Sequence, residues 1–498
     1  MKKIVLINNS HIENFSVRNI ACFLKNKGID VSTIHYEGRK DDVFNLLSQK
    51  SLKLLSEYCK EYQFVGISLL TTHLLTRSIQ ITRYLKENTN VKVIWGGVPV
   101  ICDPEYYLKY ADYVCAGEGE ELLVDLLEGK PNEEIKGLGY LTESGKFVIN
   151  SIPDFIDLNK QPIPILDIDD GYILNDNGII SLKDEMPKSL STYSVLSIRG
   201  CPYQCSYCLN SKLIRIFQKK GQYIRSIDTP RVIKELEWAK KNIRPLKRIV
   251  IDDDDFFLRS YDEMDDLLKV YSKNIDLPIF YLQAHVNHVT ESKIQLFAKH
   301  KIKLRYLKIG LQSGSKRISK EVFNRPLDKD LFLKKIKLMV SNNIRIMIDL
   351  ISDNPYETVE DKYEALLFYL DILKIVKKFS KIELPIKMYD HKLMYYPGSK
   401  LYNMALKDNH IFSDYIESVL LRRNTLRKLD EDIDTESFIV GLINLFVKKK
   451  QYSKTAYYLL KLLKIKPIFV FVDRLNLLKK LSFLKKFSLY NNFLEKIN

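Results

Sequence analysis

The sequence predicts an α/β protein: a doubly wound, Rossmann-like amino-terminal domain, then a partial TIM-type barrel of six strand–helix units, (β/α)6, then a helical carboxy-terminal section. Three observations predict it. Apolar runs of strand length alternate with helical patterns over residues 1–140, and the alternation resumes over 191–405. Residues 406–498 are helical, basic and rich in Leu and Lys. Between the two series, residues 141–190 break the pattern with Pro153, Pro162, Pro164 and Pro187 and read as a linker crossing the surface.

In the first series IVLI at 4–7 is the first strand, and a helical stretch over Val17–Lys27 closes at Gly28. DVSTIH at 30–35 is the second strand, with a helix near 42–60 after it. FVGISL at 64–69 is the third, followed by a helix near 74–87. Lys92–Trp95 is the fourth and DYVCAG at 112–117 the fifth. Such alternation implies a parallel sheet covered on both faces, which binds ligands beyond the carboxyl ends of its strands. Those ends carry Asn8–His11, Ser68–Thr72, Gly96–Pro99 and Gly117–Glu120. In the second series the strands are VLSIR (195–199), RIVID (248–252), IFYLQ (279–283), YLKIG (306–310), RIMIDLI (345–351) and KMYDHKLMY (387–395). Helical patterns such as 229–242 and 359–376 separate them. Six units in this length suit a partial barrel, since a closed eight-unit barrel takes about 250 residues.

The chain has 498 residues, enough for about two to four domains. No run of about 18 apolar residues exists, so no membrane span is expected. The opening MKKIVLINNS reads as a strand rather than a secretory signal, which points to the cytoplasm. The net charge of +16 is spread over Lys-rich faces rather than gathered in a patch, so nucleic acid is not the expected partner. Of seven cysteines, Cys22, Cys59, Cys102 and Cys115 sit among apolar neighbours as small core residues. The odd total argues against a disulfide framework.

The other three fall in RGCPYQCSYCLN, residues 199–210, as Cys201-x3-Cys205-x2-Cys208, directly after a strand and Gly200. Thiolates are iron–sulfur ligands, and a four-iron cluster has four corners. Three cysteines leave one iron free to chelate the amino and carboxylate groups of S-adenosylmethionine (SAM). A zinc site is the alternative. Zinc takes four tetrahedral ligands, and no fourth Cys or His lies close in sequence, so a distant His would have to complete it.

This spacing resembles the radical SAM superfamily, and Tyr203 and Tyr207 inside the triplet fit its pattern. The resemblance continues through IDDDDF (251–256), similar to the Asp-Asp-x-Phe segment after the second barrel strand, and IGLQSGS (309–315), similar to a fourth-strand motif in which Gln312 here replaces Glu. NPYET (354–358) and YPGSKLY (396–402) resemble later motifs of the same domain. The resemblance implies a 4Fe–4S cluster on Cys201, Cys205 and Cys208, and SAM contacts from Tyr207, Asp253, Asp254, Gln312 and Ser313. For the aspartates the alternative is a solvated loop or helix cap, and for Gln312–Ser313 a strand-end turn.

The amino-terminal section resembles the cobalamin-binding domains fused ahead of radical SAM domains, through SLLTT (68–72), GGVPVICDPEYY (96–107), GEGEE (117–121) and the connector IDLNKQPIP (156–164). Paired glycines let a backbone approach a nucleotide tail closely, although a tight turn uses them too. The resemblance implies cobalamin contacts from Ser68, Thr71, Thr72, Gly96, Gly97, Gly117 and Glu118. His11 stands where some cobalamin proteins carry a lower cobalt ligand, but the flanking Asp and Gly of that motif are missing, and the expectation is a polar loop residue.

Together the two modules imply a methyltransferase acting on an unactivated carbon of a small-molecule or peptide substrate, supplied with electrons by a carrier such as flavodoxin or ferredoxin. Cyclisation, rearrangement or another non-methylating radical reaction is the alternative enzyme reading. A non-catalytic cluster and cobalamin sensor is a third. In the tail, Leu477, Leu478, Leu481, Leu484 and Phe487 recur around Lys479, Lys480, Lys485 and Lys486. This amphipathic basic helix either covers the open side of the partial barrel or lies on a membrane surface.

Overall fold

The first apolar run becomes β1 (Lys3–Asn8), an interior strand of a nine-stranded sheet. The computed structural model describes residues 2–9, 12, 15–36, 46–71, 74–186, 190–415, 435–448 and 453–474. His11, Thr72 and the Leu477–Phe487 stretch lie outside the described residues. The chain packs as two units, Met1–Ala284 with Ser292–Arg305 and Tyr395–Arg423, and His285–Glu291 with Tyr306–Met394 and Asn424–Asn498. Among the described residues no helix is long and apolar enough to cross a membrane.

In the first unit β1 is followed by α1 (Phe15–Asn26), β2 (Asp30–Tyr36), α2 (Gln49–Cys59), β3 (Phe64–Ser68), α3 (Leu75–Asn88), β4 (Lys92–Gly96), α4 (Val98–Cys102), α5 (Pro104–Leu108), β5 (Tyr113–Cys115) and α6 (Gly119–Leu127). The strands pair in parallel in the order β5-β4-β3-β1-β2. Ile4 and Leu6 of β1 pack with Val17, Ala21 and Leu24 of α1 and Leu123 and Leu127 of α6 in one buried cluster. After β2 the chain returns to the other side of β1, so β1 and β3 flank the switch point where a doubly wound sheet opens a ligand crevice.

The sheet reaches further than the strand pattern of residues 1–140 implies. β6 (Leu138–Leu141) and β7 (Phe147–Ile149) extend it antiparallel beyond β5, and β8 (Gly171–Asn175) and β9 (Gly178–Ser181) extend it beyond β2. The segment expected to be a plain linker thus supplies three strands. Its hairpin turns at Asn175, whose Oδ1 accepts from the amides of Asn177 and Gly178, an Asx turn that replaces backbone pairing.

The same unit then forms β10 (Thr192–Val195), β11 (Ile198–Arg199), α7 (Asn210–Ile216), β12 (Arg225–Ser226), α8 (Thr229–Asn242), β13 (Arg248–Ile251), α9 (Tyr261–Asn274) and β14 (Ile279–Ala284). β10, β13 and β14 pair in parallel. The strand expected over 195–199 is broken, because β10 stops at Val195 and β11 pairs antiparallel with β12. The carboxylate of Asp253 explains the break. It accepts the amides of Ser197 at 2.6 Å and Ile198 at 2.8 Å, which cannot then continue the ladder.

Further on lie α10 (Glu291–Lys299), β15 (Leu304–Gln312), α11 (Lys329–Ser341), β16 (Ile346–Ser352), α12 (Val359–Phe379), β17 (Ile386–Lys392), α13 (Lys400–Lys407), α14 (Thr435–Lys448), α15 (Ser453–Leu463) and α16 (Lys466–Arg474). In the second unit β15, β16 and β17 pair in parallel, so three barrel-type strands come from each unit. Within the second unit α14 lies on β17, where the Asn444 amide donates to the Met388 carbonyl at 2.7 Å and accepts its N–H at 3.0 Å. One side chain thereby satisfies an edge-strand residue that would otherwise offer open backbone groups. This cover comes from the carboxy-terminal section, through a helix that the sequence reading did not single out.

Candidate active site

Gly200 opens the cysteine loop with φ +98°, and a Cβ there would lie 2.5 Å from the Tyr223 carbonyl oxygen, so the turn into Cys201 requires glycine. Cys205 is buried, and Cys201 and Cys208 are half-buried. The loop is held by Cys208 N–H to the Cys205 carbonyl (3.1 Å), Ser211 N–H to the Cys208 carbonyl (3.2 Å) and Leu401 N–H to the Ser206 carbonyl (2.9 Å). The Leu401 bond binds YPGSKLY, at the start of α13, to the triplet. Burial pushes the Cys201 thiol up to about 12 in the metal-free protein, with the Asp254 carboxylate and the other two thiols adding to the shift. Among the described residues no three His, Cys, Asp or Glu side chains are arranged around a single ion. The donor set, three thiols spread along a glycine-led loop, fits a cluster rather than one tetrahedral zinc.

The two candidate aspartates of IDDDDF, Asp253 and Asp254, part company. Asp253 is wholly buried. Besides the two amides it accepts from Ser197 Oγ at 2.7 Å and pairs with buried Arg259 at 3.0 Å. Arg259 also donates to Ser197 Oγ at 2.7 Å. Asp253 therefore faces the backbone that leads into the cysteines. Asp254 is solvent-accessible beside them and accepts from Asn210 Nδ2 at 3.0 Å. Surrounding protein raises its carboxyl pKa, assisted by Asp253, Asp252 and Asp255 and opposed by the Asn210 bond. Tyr207, between two of the cysteines, is half-buried.

On the nine-stranded sheet Ser68 ends β3, and the chain then passes Leu70, 44% exposed, to Thr71. An uncovered apolar side chain beside hydroxyls at the switch point fits the face and tail of a corrin. Leu69 N–H donates to the Gly96 carbonyl at 2.8 Å. Gly97 has φ +109°, and a Cβ there would stand 2.2 Å from the Leu69 carbonyl oxygen. Gly97 is thus required by this close approach of two loops. At Gly96 a Cβ would meet only Cys115 at an ordinary 3.6 Å. Gly117 lies against Ile152 and Pro153.

Glu118 does something the sequence does not announce. Its carboxylate accepts from Arg199 at 2.9 Å and from Arg225 at 2.7 and 3.2 Å, all largely buried. Arg199 immediately precedes Gly200-Cys201, and Arg225 is its neighbour across β11–β12. Alongside, Cys102 at the end of α4 packs with Leu213 of the helix that leaves the cysteine loop and with Phe217 just after it, joined by Val98, Ile101 and Tyr223. The structure therefore brings Gly96–Gly97 and Glu118 to the triplet through α4 and the arginines. Arg199, Arg225, Asn210 and Arg259 went unassigned in the sequence. Only the position of Arg199 inside RGC hinted at a role.

Gln312 and Ser313 belong to the second unit. Gln312 ends β15 with φ +69° at a register shift opposite β16, a conformation that non-glycine residues rarely adopt. Ser313 is buried, donates to Glu357 at 3.4 Å and accepts the Ser315 amide at 3.2 Å. Ser315 Oγ donates to Asp361 at 2.6 Å, and Asp361 forms a capping box with Thr358 at the start of α12. The serines of IGLQSGS and the threonine of NPYET thus hold one another.

A doubly wound domain open at its switch point, followed by a parallel partial barrel whose first strand runs into a cysteine triplet, defines a cluster enzyme with a corrin-binding module. Residues 4–127 match the B12 binding domain and residues 195–368 the radical SAM superfamily. The chain thus carries a B12-binding domain followed by a radical SAM domain, and the cofactors of these domains are a 4Fe–4S cluster, SAM and cobalamin. It is 26% identical over 353 residues to an uncharacterized methyltransferase of Pyrococcus horikoshii, covering 69% of this chain and 70% of the relative. Its fold is similar to the radical SAM methyltransferase TsrM from Kitasatospora setae, solved with cobalamin and a [4Fe-4S] cluster bound (TM-score 0.63, 16% identity, 82% of this chain and 75% of that one). It is also similar to the cobalamin-dependent SAM radical enzyme OxsB with aqua-cobalamin bound (TM-score 0.66, 15% identity, 97% and 76%).

Proposed function

We propose that the chain is a methyltransferase that moves a methyl group from SAM, by way of cobalamin, to a carbon of a small-molecule or peptide substrate. The observation that carries this reading is the direct packing of the Gly96–Cys102 segment and Glu118 on the cysteine loop and α7. One chain that joins the two modules this closely suits a reaction that needs both. The name of the Pyrococcus relative agrees with it.

When bound, the cluster supplies the electron that cleaves SAM, and cobalamin carries the methyl group. The protein's part is position and exclusion of water. Cys201, Cys205 and Cys208 hold the cluster, and Asp253 with Arg259 fixes the strand end from which they project. Tyr207 and Asp254, beside the cysteines, are the SAM contacts of the first unit. The positive φ of Gln312 supports a ligand role for that strand end within the second unit, since backbone strain gathers at ligand sites. Ser68, Thr71, Gly96 and Gly117 cradle the corrin tail, Gly97 holds their loops together, and Glu118 fixes the cradle to the cysteine loop. A reducing cytoplasm suits the seven free cysteines, and a low-potential one-electron carrier completes the partners. Cys201→Ala, Cys205→Ala and Cys208→Ala should each abolish 5′-deoxyadenosine formation in anaerobically reconstituted protein. Near-normal turnover in any one of them sinks the assignment.

A further inference from the structure

The helix that leaves the cysteine loop carries a surface with no assigned role. Ser211 and Lys212 bond back to the Cys208 and Leu209 carbonyls, so α7 starts at the last cysteine. It presents Lys212 and exposed Arg215, and Lys219 and Lys220 follow in the next turn. Lys212 lies against Gly398, where a Cβ would come within 2.6 Å of its Nζ. Lys212, Arg215 and Ile216 line an open recess of about 300 Å³ with Gly398 and Asn403. Exposed Lys400 and Lys407 stand three residues before and four after Asn403, on the same face of α13. The Leu401–Ser206 bond fixes that helix to the cysteine loop.

Among the described residues none of these six cations makes an ion pair. Asp103, which faces Lys212, Asp154 beside Lys220 and Asp408 after Lys407 leave the surface net positive. Net positive charge on a surface steers an oppositely charged partner. The cluster must be reached by an electron from outside, and this surface begins where its last ligand ends.

We propose that the face formed by α7 and α13 is the docking surface for an acidic one-electron carrier. The proposal rests on the cluster assignment above. Each encounter moves one electron: a flavodoxin hydroquinone is oxidised to the semiquinone, and the oxidised cluster gains that electron. Lys212 and Asn403 at the recess receive the carrier's carboxylates, and the outer cations set the encounter rate.

The test uses reconstituted full-length protein with SAM and purified reduced flavodoxin, with dithionite as a small, non-docking reductant. The pairs Arg215→Glu/Lys219→Glu and Lys400→Glu/Lys407→Glu lie outside the cluster and SAM contacts. At low salt and limiting flavodoxin, each should lower cluster bleaching and 5′-deoxyadenosine formation about tenfold or more. Dithionite-driven rates should hold, and raised salt should bring wild type toward the variants. Flavodoxin-driven rates within twofold of wild type overturn the proposal, as does an equal loss with dithionite. So does loss of a wild-type RNA gel shift in variants that flavodoxin still reduces normally, because it assigns the surface to nucleic acid. If wild type fails with dithionite as well, the radical SAM reading fails rather than the docking surface.

Discussion

Asp253 is where the structure departs most usefully from the sequence motif, and its replacement separates the two readings. The carboxylate is fully buried, accepts two backbone amides and a hydroxyl, and faces Arg259, itself 4% exposed. Removing one partner of a buried ion pair costs about 3–5 kcal/mol, because the other charge is stranded. The orphaned amides of Ser197 and Ile198 add about 1–3 kcal/mol for each that stays dry. A domain has only about 5–15 kcal/mol to lose. Asp253→Ala should therefore yield protein that is largely unfolded or cannot hold iron. Asp253→Asn keeps an acceptor for the amides and loses only the charge facing Arg259, so it should fold with a lower urea midpoint. Urea unfolding of the metal-free protein, followed by tryptophan fluorescence, and iron content after reconstitution give the two readouts. If Asp253→Asn unfolds like wild type and loads its cluster fully, yet binds SAM tenfold more weakly, the scaffold role is wrong and the carboxylate contacts SAM.

Three further outcomes follow from the geometry. Gly97→Ala should lower stability by at least about 1–3 kcal/mol, since φ +109° and a 2.2 Å approach to Leu69 both oppose a side chain; Gly96→Ala should match wild type in thermal melts, and a melt that ranks them the other way refutes the loop contact. Glu118→Gln should free β11 and β12, seen as faster hydrogen exchange around Ile198–Arg199 and Arg225, and should raise abortive 5′-deoxyadenosine formation relative to methyl transfer; unchanged exchange argues against the clamp. The third outcome concerns Glu235, buried in α8 beside Arg18 (3.6 Å), Tyr193 and Arg231, whose carboxyl burial pushes up to about 7. A folded pKa above the ordinary 4.5 contributes stability that is complete below about 4.5 and is lost as pH rises to about 7. The difference is on the order of 3 kcal/mol. Glu235→Gln should flatten the fall in melting temperature between pH 5 and 8, and parallel profiles of the two proteins would falsify the assignment.

Much of the fold was legible because its signals are local. Alternating runs in 1–140 became the parallel strands, and Gly200 and the triplet spacing marked the cysteine loop without any tertiary information. What escaped depends on partners far apart in sequence. β8 is five residues of unremarkable polarity whose place is set by pairing with β2, more than a hundred residues earlier. Asp253 looks like its neighbour Asp254 in sequence. Only the chain reversal that brings Ser197 beneath it makes one a scaffold and leaves the other by the cysteines. Glu118 reads as a crevice residue until Arg199 and Arg225 arrive from β11 and β12.

The central claim is that one chain holds the cluster, SAM and cobalamin and moves a methyl group from SAM to the corrin and on to a substrate carbon. Its most direct test supplies anaerobically reconstituted, cobalamin-loaded full-length protein with methyl-deuterated SAM and a reductant, and follows the label by mass spectrometry. The deuterated methyl group should be found on the protein-bound corrin, and 5′-deoxyadenosine should form in the same mixture and vanish with Cys205→Ala. A protein that cleaves SAM to 5′-deoxyadenosine but retains no corrin, or whose corrin never acquires the label, contradicts it.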